Sequence, residues 1–383
     1  MDRKPTVIVV GGGTMGLASA WALARRGAQV TVLERFGHVH DHGSHGGHTR
    51  AIRHAYHEGS SYVSMIQQAD REWVALGERA EQSILMRTGV LLFGPPQDAE
   101  LRSAFETCRS CALPYERLDA EDIRARWPLV MPGHWQACFD PSGGYLRVRA
   151  GMDALAAEAR AEGARLRYGA EVAGLEVGPR PGVRLVDGER LDADHLVVAA
   201  GPWLPSLCPT LLPGGLRRLR RILAWTRPSA RHHAALSALP VWGVYSPRGF
   251  FYGFPHGDEG TTGLKIALHT SADQPALDRP VDPEHLDRQI HPEDLDPLRW
   301  VLAEHLPAGQ GQFAATHVCM YTSTPGWDFV LDRLPSEPNV VVAGGFSGHG
   351  FKFAPAVGLH VAALVLDGAA PRPEFEVAAH RPR

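Results

Sequence analysis

The sequence predicts a two-lobed α/β (α+β) fold, with one lobe a nucleotide-binding unit on a largely parallel sheet and the other a mostly antiparallel β-sheet. Three observations predict it. A glycine-rich turn joins a strand to a helix near the N-terminus, two later apolar strands end in glycine near 201 and 345, and the stretch 216–320 is rich in aromatic β-type segments.

Residues 6–10 (Thr-Val-Ile-Val-Val) are a β-branched run that ends in Gly11-Gly12-Gly13-Thr14-Met15-Gly16, and residues 17–26 then read as a helix rich in alanine and leucine. A second strand over 29–33 ends at Glu34, 23 positions beyond Gly11. Together these make one βαβ unit carrying the Rossmann-like dinucleotide fingerprint. Residues 61–80 read as a helix, and 89–94 as a strand that leaves this unit. A further amphipathic helix is expected over 147–161, with strands around 165–168, 173–177 and 183–185. The apolar run 191–201 returns the chain to the nucleotide sheet. Strands follow at 241–245, 250–254 and 263–268, and a helix near 295–306. Residues 339–345 form one more buried strand with a glycine end, and 355–366 a closing helix. The nucleotide domain is therefore expected to be discontinuous, over 1–86, 147–215 and 325–383, with 87–146 and 216–324 forming the substrate domain. The Pro/Arg-rich final residues are expected to be a loose tail.

Composition excludes several classes of function. The 383 residues are 44% hydrophobic and carry 39 basic against 42 acidic side chains, a net charge of -3. No overall charge draws the chain to nucleic acid or to an anionic bilayer. The apolar run 7–10 is too short for a signal-peptide core or a spanning helix, so a cytoplasmic protein is expected. Five cysteines, an odd number without repeating spacing, fit a reducing compartment. Six of the twenty histidines fall between His38 and His54, but they are interleaved with glycines and lack Cys or Glu partners at ligand spacing. No metal is expected there. Cys108 and Cys111 form a lone CxxC and read as ordinary helix residues.

The glycine turn is an anion seat. A helix begins there with unpaired amides and a positive dipole end, and the missing side chains let a pyrophosphate approach the backbone. Gly11, Gly13, Thr14, Met15 and Gly16 are the positions concerned. Glu34 would accept hydrogen bonds from a ribose hydroxyl pair and repel a 2′-phosphate. The fingerprint alone serves NAD and FAD equally.

Three distant segments narrow the choice: Gly43-Ser-His-Gly-Gly-His-Thr-Arg-Ala-Ile-Arg-His54, Thr316-His-Val-Cys-Met-Tyr-Thr322 and Gly344-Gly-Phe-Ser-Gly-His-Gly-Phe-Lys-Phe353. With Tyr252-Gly-Phe-Pro255, Gly263-Leu-Lys265 and Arg126-Trp-Pro128, they resemble the monomeric sarcosine oxidase and N-methyltryptophan oxidase family of FAD-dependent amine oxidases, a branch of the D-amino acid oxidase superfamily. The resemblance runs from the strand at Thr6 to the helix after Lys352. It implies FAD, held by a thioether from Cys319 to the 8α-methyl of the flavin. A thiolate is a strong carbon nucleophile, and the tether would prevent loss of the cofactor. Arg50 matches an arginine over one flavin face, where a guanidinium counters charge on the reduced ring. Lys265 matches a lysine on the opposite face that promotes oxygen reduction, since a fixed ammonium stabilises the superoxide anion where it forms. Arg53 and Lys352 match ligands of the substrate carboxylate. Two cations in one apolar cavity are costly without an anion, which by itself argues for an anionic substrate. Tyr252, His269, Tyr321 and Gly243 match positions around the substrate. Gly345, Gly348, Gly350, Phe351 and Lys352 would face the pyrimidine edge of the flavin. Arg35, Ser44, Thr49, Val172, Ala200, Gly201, Trp203 and Met320 complete the implied cofactor contacts.

The chain departs from that family's usual Gly-Ser-His-His-Gly-Asp-Thr-Arg at Gly46 and His48. Gly243 also stands where sarcosine oxidases often have methionine. Two losses of bulk in one neighbourhood predict a larger pocket and a bulkier substrate than sarcosine, although Trp242 and Tyr245 could refill some of the space.

The activity implied is FAD-dependent oxidation of a secondary (N-methyl or cyclic) amino acid to an imine, with O2 reduced to H2O2, by a monomer. The amine must be neutral to assist C–H cleavage, so activity is expected to rise with pH. Two alternatives stay open from the sequence: a flavin dehydrogenase or demethylase of a bulkier N-methyl amino acid that uses another acceptor, and a non-enzymatic nucleotide-binding sensor.

Overall fold

A computed structural model describes residues 3–212, 215–257 and 263–380, with the side chains of Pro275 and Ala276 outside that description. The β-branched run forms strand Thr6–Val10, buried because the helix Thr14–Arg25 covers one face of its sheet. That sheet has six strands in the order Val330–Leu334, Glu337–Gly344, His195–Val198, Thr6–Val10, Gln29–Glu34, Arg165–Tyr168. All its pairings are parallel except the one between the first two. Parallel pairing buries both faces, which is why these strands read as continuous Val/Leu/Ile runs rather than as alternating ones. Helices Thr14–Arg25, Val148–Ala161 and Ala354–Asp367 pack together on one side with Trp21, Trp73 and Phe353 fully buried among them.

The second large sheet has eight strands in the order Gly311–Ser323, Arg217–Pro228, Leu264–Ser271, Gly249–Gly253, Val241–Ser246, Val90–Gly94, Gln136–Asp140, Glu116–Leu118. Only the pairing of Val241–Ser246 with Val90–Gly94 is parallel. Side chains alternate between faces along each strand. One face of this sheet therefore presents Trp225, Lys265, Ala267, His269, Cys319 and Tyr321 together, while the other packs on helix Pro292–His305.

A three-stranded sheet of Thr49–Ile52, Gly144–Arg147 and Leu85–Met86 lies outside the two-lobe division read from sequence, because Gly144–Arg147 pairs with strands from the N-terminal stretch. The Pro/Arg-rich final residues expected to be a loose tail end in 381–383, which lie outside the described residues. The segment before them is docked: Phe375 is fully buried, and His380 Nε2 bonds the Phe329 carbonyl at 2.9 Å. An aromatic at 375 outweighs the proline-rich composition around it.

Candidate active site

Three cavities adjoin one another where the C-terminal ends of the parallel strands meet the inner face of the large sheet. The first is lined by Gly11, Gly13, Glu34, Arg35, Phe36, His40, Val172, Ala200, Gly201 and Trp203, among others. The second holds Thr14, Met15, Ser44, Arg50, Met320, Thr322, Gly345 and Gly350. The third is lined by Arg53, Gly243, Phe250, Tyr252, His269, His349 and Lys352. Gly13, His45, Ala199 and Gly201 border the first two, and Arg50, Tyr321, Gly348 and Phe351 border the last two, so a single path runs through all three. An elongated ligand seated at a strand–helix turn and reaching the third cavity has the shape this path requires.

At the first end, Gly12 N–H donates to Glu34 Oε2 (2.7 Å) and Phe36 N–H to Oε1 (2.8 Å). These bonds and the His40 imidazole hold the carboxyl below its ordinary range against the opposing effect of burial. The carboxylate is thus fixed and charged beside the first cavity. Gly16 stands off the cavity wall: a Cβ there would lie 1.8 Å from the Gly11 carbonyl oxygen, so its absence lets helix and turn close up. Helix Thr14–Arg25 has no side-chain cap at its N-terminus, which leaves its first amides available to an anion. Two orphaned atoms on the path also fit a polar ligand, since His45 Nε2 and Thr322 Oγ1 are buried without hydrogen-bond partners among the described residues. An FAD-shaped group fits this donor set. Arg35 and Trp203 both bond Glu284 at the rim of the first cavity. Glu284 comes from the other lobe in sequence and carried no motif that could announce it.

Between the second and third cavities Arg50 is held rigidly, donating to the carbonyls of Thr49 (2.8 Å), Ser44 (2.9 Å) and Gly46 (2.6 Å). Lys265 is buried off the cavity walls, with its ammonium donating to Gly47 O (2.6 Å), Thr49 O (2.7 Å) and Thr49 Oγ1 (3.1 Å) and lying 4.5 Å over the Phe254 ring. Thr49 accordingly acts here by holding Lys265. Cys319 is buried in an apolar cluster with Leu223, Trp225 and Ala267. Burial pushes its thiol up, while Arg50, Lys265, Arg221 and Arg288 pull it down.

The third cavity has a charged pole and an apolar wall. Arg53 and Lys352 meet over the Tyr56 ring, at 4.5 Å and 5.2 Å from its centre. The cavity's apolar lining includes Val90, Leu92, Val241 and Phe250. His269 bonds the Tyr321 hydroxyl at 3.0 Å, and burial with Arg221 nearby keeps its imidazole neutral. Arg53 Nη2 is also bonded at 2.9 Å to each oxygen of Glu58, a buried carboxylate held well below its usual range by Arg53 and His57. This corrects the charge argument made from sequence, because one of the two cations already has an anion. Glu58 was invisible there, as its five-residue offset from Arg53 belongs to no helical or strand period.

Lys352 carries the remaining attraction. Burial first and Arg53 second lower its pKa to about 7, with Glu58 opposing them. The amine is charged below that pH and neutral above it. Acetate, a minimal carboxylate ligand, is therefore expected to bind up to tenfold more weakly per pH unit above about 7, until the pKa of the liganded site is reached. A dissociation constant that stays flat from pH 6 to 9 would contradict this. The fall opposes the rise expected from substrate amine ionisation, so kcat/KM should pass through a maximum rather than climb steadily. Removing one partner of a buried ion pair typically costs about 3–5 kcal/mol. Glu58→Gln should accordingly lower the melting temperature, and acetate should raise it more in the variant than in the parent.

The enlarged pocket expected from Gly46 and Gly243 is not observed. A Cβ on Gly46 would lie 2.1 Å from His317 Nε2, and one on Gly243 would lie 2.7 Å from Phe250 Cζ. Each missing side chain is replaced by a neighbouring ring. Close packing fills such gaps from whichever side chain can reach, and the linear sequence does not show which one that is.

Among the described residues no group of three or more His, Cys, Asp or Glu is placed to hold a metal ion, and no helix is long and apolar enough to cross a membrane. The clustered histidines have local duties. His38 bonds Asp153 and His40 pairs with Glu34.

A largely parallel nucleotide sheet whose strand ends open toward a cavity holding Arg53 and Lys352 on a second sheet defines a two-lobed, dinucleotide-binding class of protein. The chain belongs to the FAD dependent oxidoreductase (DAO) family, which matches residues 6–364. It is 33% identical over 374 residues to monomeric sarcosine oxidase of Bacillus sp., covering 96% of this chain and 94% of that one. It is 30% identical over 365 residues to N-methyl-L-tryptophan oxidase of Yersinia pestis, covering 94% of each. Among solved structures it superposes with TM-score 0.82 on NikD, described as an unusual amino acid oxidase essential for nikkomycin biosynthesis, at 25% identity over 98% of each chain.

Proposed function

We propose that the protein oxidises a secondary amino acid, N-methylated or cyclic, at the C–N bond, with O2 as the electron acceptor and H2O2 as product. The observation that carries this reading is the third cavity, where Arg53 and Lys352 face an apolar wall at the end of the FAD path. The cofactor, when bound, supplies the two-electron acceptor for the amine. The protein's own part is to hold the substrate carboxylate on Arg53 and Lys352, which turns the amine and its substituents toward Tyr252, His269 and the apolar wall. Burial keeps the Tyr252 hydroxyl protonated, so it adds no anion there, and buried surroundings beside Arg53 and Lys352 disfavour a charged amine. That favours the unprotonated amine, which alone has a lone pair to assist C–H cleavage. Arg50 sits at the junction of the cofactor and substrate cavities, where charge arriving on the cofactor would be offset.

The covalent tether at Cys319, the oxidase role of Lys265 and a monomeric state belong to the same proposal. So does a division of labour between the discontinuous nucleotide lobe and the antiparallel sheet. Similarity to proteins named sarcosine and N-methyltryptophan oxidases supports the reading, as does a buried lysine on the same sheet face as Cys319. The test is a peroxide assay under air with N-methylated and cyclic amino acids. Peroxide release dependent on the amino acid supports the proposal. Reduction of an artificial dye without peroxide would favour a dehydrogenase, and failure to bind flavin at all would leave only the sensor.

A further inference from the structure

We infer that Phe250 sets the upper size of the amino acid this site accepts, by occupying the space that Gly243 leaves open; the inference rests on the secondary-amino-acid reading above. Family membership does not decide size, because relatives named for a very small and a very large substrate are 33% and 30% identical to this chain. The geometry does. Gly243 pairs across the sheet with Tyr252, so Phe250 is its diagonal neighbour on the same face and can lean over it. A Cβ on Gly243 would meet Phe250 Cζ at 2.7 Å, Phe250 Cε2 at 2.8 Å and Leu92 Cδ2 at 3.0 Å. The ring thus stands in direct contact with the glycine backbone.

The ring is also braced. It stacks on Tyr245 at 4.5 Å and 20°, and it meets the edges of His57 (5.8 Å, 87°) and His269 (5.8 Å, 85°). Tyr245 in turn bonds His57 Nδ1 at 2.5 Å, and His57 contacts Arg53. Phe250 is therefore wedged between the carboxylate pole and His269, and moving it would disturb both. An amino acid anchored by its carboxylate must point its larger substituent at the wall of which Phe250 is part. A methyl group or a small ring leaves Phe250 in place, whereas an indolylmethyl group claims the volume the ring fills.

The experiment compares the parent chain, Phe250→Ala and Gly243→Ala as flavin-loaded proteins. Two readouts are taken: anaerobic bleaching of the flavin by N-methylglycine and by N-methyl-L-tryptophan, and dissociation constants of acetate and indole-3-acetate from flavin absorbance changes. The parent is expected to prefer N-methylglycine by about 100-fold or more in kcat/KM. Phe250→Ala should shift both ratios at least about tenfold toward the indole compounds. Gly243→Ala should weaken the binding of both ligands, since its methyl forces the ring into the cavity. Should Phe250→Ala fail to fold, Phe250→Leu keeps the wall filled and should move the ratios in the same direction by less. Parent activity on the two amino acids within a few-fold, or ratios unmoved by the Phe250 variants, would overturn the inference. If neither amino acid bleaches the flavin, the substrate reading fails while the two acetates still decide the size limit.

Discussion

Replacing Cys319 with serine is expected to convert a fully protein-bound flavin into a fully extractable one. Acid precipitation of the parent should leave a yellow pellet, and of Cys319→Ser a yellow supernatant. The thiol sits among Leu223, Trp225 and Ala267, next in sequence to Met320 and Tyr321, which line the second cavity. Burial alone would keep it protonated and inert, but Arg50, Lys265, Arg221 and Arg288 all act to lower its pKa. Burial still outweighs them and the thiol's pKa stays raised, so these cations ease, without reversing, the cost of forming the thiolate that attacks carbon. A serine hydroxyl in the same place ionises far less readily and is a poorer nucleophile. A yellow pellet from the variant would remove Cys319 from the account. A yellow supernatant from the parent would remove the tether while leaving non-covalent FAD chemistry intact.

The second large effect is expected at Lys265. Lys265→Met should slow reoxidation of the reduced flavin by O2 about 10²–10³-fold, the usual cost of deleting one fixed charge-stabilising donor. Anaerobic reduction by the amino acid should change little. The basis is geometric. Two carbonyls and a hydroxyl from residues 47 and 49 fix the ammonium, so it needs no reorganisation when an anion forms beside it. Methionine preserves length and burial but leaves those acceptors without that donor, at a cost of about 1–3 kcal/mol each. A lower melting temperature should therefore accompany the kinetic defect. Rapid-mixing absorbance separates the two half-reactions, and equal slowing of both would show that Lys265 serves structure or substrate binding instead.

Much of this architecture could be read from residues. The run 6–16 specifies strand, turn and helix because β-branched periodicity, glycine placement and the alanine-rich stretch agree, and the structure forms Thr6–Val10 and Thr14–Arg25 there. The nominated residues also gather. Arg50, Arg53, Gly243, Tyr252, His269, Tyr321 and Lys352, drawn from across some 300 positions, line one cavity. What escaped were contacts between residues that no motif relates. Glu58 neutralises Arg53, Glu284 closes the nucleotide rim, and His317 and Phe250 fill the places of missing side chains. Each depends on how two strands or a loop and a helix come together. Neither composition nor local periodicity encodes which side chain will reach a gap first. The docking of Phe375 has a related cause: its ring partners, Tyr62 and Phe329, are distant in sequence.

The account stands most directly on whether a bound flavin in this chain accepts electrons from an N-methylated amino acid. Anaerobic addition of N-methylglycine to the purified yellow protein, followed by its visible spectrum, measures that in one step. The flavin absorbance is predicted to bleach in proportion to the amino acid added and to return on admission of air with release of peroxide. A spectrum unchanged by N-methylglycine, N-methyl-L-alanine and proline alike, in protein that carries flavin, would contradict the assignment of the Arg53 and Lys352 cavity to a secondary amino acid.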